Sequence, residues 1–112
     1  MSGVRAAAIT ERQLTDAVVS LATLLGYLIH HDRPGRTTNS WRTAVQGTAG
    51  FPDLVLAHPS TKRVLYVELK TGNGKLSPWQ VPWVDTLDAA VWRPSDLLDG
   101  TIERILIEGA GR

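Results

Sequence analysis

Cysteine is absent from the 112 residues, which removes disulfides, thiolate metal sites and cysteine nucleophiles together and fits a reducing cytoplasm. No apolar run approaches the ~20 residues needed to cross a bilayer, so no membrane contact is expected. The opening MSGVRAAAIT has a basic residue but no continuous apolar core followed by a cleavage pattern, so secretion is not expected either. Repeats and low-complexity segments are lacking. Net charge is nearly lacking too, at +1, too small to identify a partner by itself.

Hydrophobic content of 43% and charged content of 21% are ordinary for a globular chain. This length buries roughly two-thirds of its surface in one core, so residues 1–112 are expected to form one domain. The charge is unevenly spread. Arg33, Arg36, Arg42, Lys62 and Arg63 face only Asp53 in residues 33–63, a local +4, while residues 64–112 carry −2. A solvated basic loop accounts for this; so does a polyanion running past Asp53.

Thr10-Glu11-Arg12-Gln13 is a capping box, with Ile9 and Leu14 as its staple. Leu14, Ala17, Val18, Leu21, Ala22 and Leu25 follow at helical spacing, and Gly26 supplies the stop. Tyr27 to His31 reads as a strand, and Asp32 to Gly50 as a long loop suited to substrate contact. Leu54–Ala57 and Val64–Val67 bracket a turn and predict an antiparallel hairpin of central strands. Ser77-Pro78-Trp79-Gln80 is a second capping box with Pro at the first helical position. Val91-Trp92-Arg93 reads as a strand remnant, Ser95 to Asp99 as a turn, and Ile102, Ile105 and Leu106 as a closing helix. Helical or strand spacing makes Trp79, Trp83 and Trp92 core residues, and Trp41 alone stands in the polar loop.

Within the second apolar run Glu68 and Lys70 alternate with Val67 and Leu69, which puts the two charges on one face about 7 Å apart. Asp53 and Glu68, from adjacent strands, can hold one divalent cation with the Leu69 backbone carbonyl; Mg²⁺ or Mn²⁺ suits these hard oxygens. Lys70 can then orient a water or stabilise charge on phosphorus, which is phosphodiester hydrolysis. The plainer account makes Asp53 a turn cap and Glu68–Lys70 an edge-strand ion pair.

Pro52-Asp53, fourteen intervening residues and Glu68-Leu69-Lys70 resemble the PD-(D/E)XK nuclease superfamily, and within it the VRR-NUC family. The similarity runs over about residues 10 to 97. It includes Glu11 opening a helix, a Gly-Tyr leading into a His-containing strand, Gly47 and Gly50 before Phe51-Pro52-Asp53, and Lys75-Leu76-Ser77-Pro78-x-Gln80. The resemblance implies an α/β fold, a restriction-endonuclease-like αβββαβ core whose mixed sheet is flanked by helices. It also implies Glu11, Asp53 and Glu68 as metal-site carboxylates, Lys70 as the catalytic lysine and Gln80 as a support of the site. Glu11 also fits a first-turn acid favoured by the helix dipole, and Gln80 a member of its capping box.

The stand-alone members resemble phage and bacterial Holliday-junction resolvases. The implied activity is metal-dependent cleavage of branched DNA in a bacterial or phage-infected cytoplasm; two symmetric nicks in a junction call for a homodimer or higher homo-oligomer. Arg33, Arg36, Arg42, Lys62 and Lys75 are the candidate phosphate contacts. The alternative is a catalytically silent DNA-binding or assembly module that keeps the fold. A histidine-metal nuclease built on His30 and His31 finds no further ligand at a recognisable spacing.

One region departs from the family pattern. Thr86-Leu87-Asp88-Ala89-Ala90 runs straight into Val91 without a glycine, where a helix-to-strand turn needs about two to six residues. Either the last strand is stunted, or the helix cannot turn back and residues 91–112 join another copy's sheet by domain swapping.

Overall fold

The computed structural model describes residues 6–32 and 46–112. After a 3-10 turn at Ala6–Ala8 come α1 (Glu11–Leu24), β1 (Leu28–His31), β2 (Leu54–Ala57) and β3 (Val64–Leu69). Then follow α2 (Gln80–Leu87), β4 (Ala90–Trp92), α3 (Pro94–Leu98) and α4 (Thr101–Gly109). The sheet is mixed, in the order β1-β2-β3-β4, antiparallel through β3 with β4 parallel to β3. The expected αβββαβ order is therefore present, with two short helices after it.

Helix α1 starts and stops where its sequence dictates. Gln13 N–H donates to Thr10 Oγ1 at 3.1 Å while Thr10 N–H donates to Gln13 Oε1 at 2.9 Å, closing the capping box. At the other end Gly26, at φ +92°, lets Tyr27 N–H reach the Ala22 carbonyl and its own N–H reach Thr23, a Schellman stop. Between them Leu14, Val18 and Ala22 recur at four-residue spacing and are buried. They meet Leu54, Leu56, Val67 and Leu69 from one face of the sheet, with Trp92, Ile102 and Leu106 completing the core.

The opposite face is covered more lightly by α2, which has no fully buried residue. Phe51 stands edge-on to both Tyr66 (6.3 Å between ring centres) and Trp83 (5.1 Å), and Trp83 Nε1–H donates to the Ala49 carbonyl at 2.9 Å. The Ser77–Gln80 box forms, but the regular helix begins only at Gln80, so Pro78 lies in the turn before it. Of the tryptophans expected in the core, Trp92 is buried and Trp83 half-buried, whereas Trp79 is exposed. Residues 94–98 form a one-turn helix rather than a bare turn.

The helix-to-strand reversal is made without glycine. Asp88 adopts the left-handed conformation (φ 53°, ψ 45°) as the cap of α2, and Ala89 N–H reaches back to the Val84 carbonyl. Aspartate tolerates this region better than most residues because its short polar side chain can bond locally. The chain therefore turns back on itself, and a three-residue β4 pairs with β3 of the same chain. The stunted strand leaves a hollow of about 350 Å³ beside Val64–Tyr66, lined also by Arg63 and Asp88, whose polarity guards an otherwise unpaired strand edge.

Two side-chain hydroxyls tie the ends of the fold together. Tyr27 Oη donates to the Leu106 carbonyl at 2.7 Å, which also accepts the Ala110 N–H, and Thr61 Oγ1 donates at 2.7 Å to the Gly109 carbonyl, one that the end of α4 leaves free. A Cβ at Gly109 would overlap the Tyr27 hydroxyl, so the helix needs glycine there. Burial pushes the Tyr27 phenol pKa up, against a smaller downward pull from Arg63. His58 is buried against the Tyr27 ring, with Nε2 2.9 Å from the Leu25 carbonyl and Nδ1 accepting from Ser60 N–H. Those partners fix the Nε2–H tautomer and occupy both nitrogens.

Candidate active site

The register explains why the charges meet. Leu54 pairs with Val67, so the next step sets Asp53 across from Glu68. Their neighbours Leu54, Val67 and Leu69 are buried on the α1 side, so strand alternation turns both carboxylates to the α2 side. His58 N–H bonds the Arg63 carbonyl, and counting pairs from there makes Leu69 opposite Pro52 a hydrogen-bonding position. Pro52 has no N–H to give, which withholds a ladder partner from the Leu69 carbonyl. The Leu69 N–H donates instead to Asp53 Oδ2 at 2.9 Å and fixes that carboxylate.

Glu68 is 2% exposed. Its Oε2 accepts from Gln80 Nε2 at 2.9 Å and lies 3.7 Å from Lys70 Nζ, while its Oε1 is buried with no hydrogen-bond partner. Burial foremost, then the charge of Asp53 and the hydrogen bond the two carboxyls share when one is protonated, raise the Glu68 pKa to about 7; Lys70 opposes this only in part. Two carboxylates facing one another, one of them buried, need a positive partner, and near neutrality a proton supplies it.

A hard divalent cation would meet the same need. The orphaned Glu68 Oε1, the opposed Asp53 carboxylate and the Leu69 carbonyl form an all-oxygen donor set that fits such an ion. Among the described residues no group of three or more His, Cys, Asp or Glu side chains gathers as a ready metal cage. The protein side of the site is thus two carboxylates, and the histidines assemble no rival centre.

Gln80 makes two side-chain contacts. Its Oε1 accepts from Ser77 N–H at 2.9 Å, and its Nε2 holds Glu68. Asp53, Glu68, Leu69, Lys70 and Gln80 are accordingly brought together. Glu11 is exposed at the start of α1; because α1 packs back along β1, it stands at the same end of the sheet but outside any three-member cluster. Lys75 is exposed in the loop between Lys70 and Ser77. Lys62 lies at the far end of the hairpin, six residues or roughly 20 Å along the chain from Glu68, so the basic turn does not adjoin Asp53. Arg33, Arg36, Arg42 and Trp41 fall outside the described residues.

Two supports of the site were not read from sequence. Asp32 N–H donates to the Asp53 carbonyl at 3.0 Å, carrying the β1–β2 ladder up to the carboxylate. Gly50, at φ +101°, presses against the Trp79 carbonyl so closely that any Cβ would overlap it, locking the loop before Asp53 onto the turn that carries Gln80. The glycine two residues before Pro52 was the available signal.

Two opposed carboxylates and a lysine on one rim of a mixed αβββαβ sheet define a nuclease-like core of the PD-(D/E)XK kind. The family model described as the VRR-NUC domain matches residues 9–93, and the chain belongs to the VRR-NUC family. Its activity class is therefore that of a nuclease, with DNA as the partner, and nucleases of this family generally depend on divalent metal. Among curated proteins and among solved structures nothing matches the chain.

Proposed function

We propose that this chain is a divalent-metal-dependent endonuclease that hydrolyses phosphodiester bonds in branched DNA. The observation that carries the reading is the buried, partnerless Oε1 of Glu68 beside Asp53, with Lys70 on the same rim. Asp53, Glu68 and the Leu69 carbonyl would hold Mg²⁺ or Mn²⁺, with Glu11 assisting from the start of α1. A bound ion supplies a lowered pKa for water and neutralises charge at phosphorus. Lys70 directs a cationic donor toward the attacking water, and Gln80 orients Glu68 so that one oxygen stays free. Cutting a four-way junction requires two symmetric nicks, which a two-fold dimer of the chain would provide.

The test is cleavage of labelled junction, flap, linear duplex and RNA with Mg²⁺, Mn²⁺ or EDTA. Metal-dependent nicking of the branched substrates is expected, and Lys70→Ala should lower it by at least about 100-fold while leaving the fold intact. Binding without cleavage under every metal would favour a silent DNA-binding module. A Lys70→Ala variant as fast as wild type would overturn the assigned mechanism.

A further inference from the structure

Seven large apolar side chains are exposed among the described residues, and three of them adjoin site residues along the chain: Phe51 at 37%, Trp79 at 64% and Val81 at 49%. Phe51 lies two residues before Asp53, and Trp79 and Val81 stand on either side of Gln80, whose amide holds Glu68. Their surroundings differ. Phe51 is engaged edge-on by Tyr66 and Trp83, so its exposed part is the remainder of a packed ring. Trp79 keeps most of its indole in water although its backbone is clamped by the close approach of Gly50. The result is a large aromatic on a fixed base, its Cα one step of about 3.8 Å from that of the residue holding the buried carboxylate.

From this geometry we infer that Trp79 is a stacking platform for an unpaired base of the DNA strand being cut, next to the cleaved phosphate; the inference rests on the nuclease reading above. The occupant follows from chemistry. A partner that brings its phosphate to Asp53, Glu68 and Lys70 is a polyanion, and the only extensive apolar surface it can offer an indole is the face of a base. In intact duplex those faces are already stacked on one another. They become available where a strand is unpaired, at a flap, gap or junction, and stacking there tolerates any base. Trp79 thus turns a site that can cleave a phosphodiester into one that favours a strand leaving a duplex.

The experiment measures binding by fluorescence anisotropy in EDTA, with Glu68→Gln as the uncut parent, on a flap substrate and a blunt duplex of equal length. Adding Trp79→Ala should weaken flap binding by about 5- to 150-fold and leave duplex binding unchanged, while Trp79→Phe should retain most of the affinity. An abasic residue at one position beside the branch should weaken binding by the parent but not by Trp79→Ala, because the base and the indole then account for the same contact. Equal flap binding by parent and Trp79→Ala overturns the inference while leaving the nuclease reading intact, and points to a protein partner for the patch. Equal losses on flap and blunt duplex also overturn it. A parent that does not prefer flap to duplex overturns it too, and metal-dependent cleavage by wild type then decides separately whether the nuclease reading survives.

Discussion

Glu68→Gln should make the protein more stable at pH 8 and leave it nearly unchanged at pH 4.5. In the unfolded chain this carboxyl titrates near 4.5, whereas in the fold its pKa is raised to about 7. Between those values the folded state binds the proton and the unfolded state does not, so stability falls as pH rises through the window and levels off above pH 7. At about 1.4 kcal/mol per pH unit the displacement corresponds to roughly 3 kcal/mol, reduced to about 2 by solvent reaching Asp53 and Lys70. Glutamine has the same shape, offers its carbonyl to Gln80 and its amide to Asp53, and has no charge to lose. The assay is urea unfolding followed by tryptophan fluorescence in EDTA at half-unit steps from pH 4.5 to 8. Subtracting wild type from the variant cancels the titrating groups that do not touch Glu68. The difference should grow to about 2 kcal/mol and then stay constant, and Mg²⁺ added at pH 8 should narrow it by stabilising only wild type. A difference that is flat across the window refutes the account of the carboxylate pair.

Other outcomes follow from features away from the rim. Tyr27→Phe deletes one of two donors to the buried Leu106 carbonyl and should lower unfolding free energy by about 0.5–1.5 kcal/mol in the same titration. Gly109→Ala should also destabilise, by about 1–3 kcal/mol, although alanine is the better helix former, because the new methyl meets the Tyr27 hydroxyl; in a Tyr27→Phe background most of that penalty should vanish. Asp88→Gly relieves a left-handed aspartate and should raise the melting temperature, with up to about 1 kcal/mol gained. Unchanged or lower stability there would mean that the aspartate is held by more than its backbone.

Local chemistry made much of this fold legible. The Thr10–Gln13 box, the Gly26 stop and the two apolar runs each work through residues near in sequence, so α1 and the β2–β3 hairpin appear where the pattern puts them. The same alternation that buries Val67 and Leu69 sets Glu68 and Lys70 on one rim, which is why the heart of the site could be read from a single strand. Longer-range facts were not encoded that way. Helical spacing marks Trp79 as part of a stripe but not which face α2 lays on the sheet, and the helix begins late enough to leave it in the preceding turn. Asp88 replaced the expected glycine because one left-handed residue sufficed. The basic residues around Asp53 looked like a single patch only along the chain; the hairpin carries Lys62 to its other end.

The docking of α4 separates ancestry from folding. The family model ends at residue 93, yet Ile102 and Leu106 beyond it are fully buried against the α1 side of the core, and the Leu106 carbonyl receives the Tyr27 hydroxyl. Two such side chains contribute about 3–6 kcal/mol of burial, a large fraction of the 5–15 kcal/mol that holds a typical domain together. A chain cut at the family boundary would retain every motif residue and lose the lid of its own core. The inherited unit and the cooperative unit thus have different edges, and the last nineteen residues belong to the second.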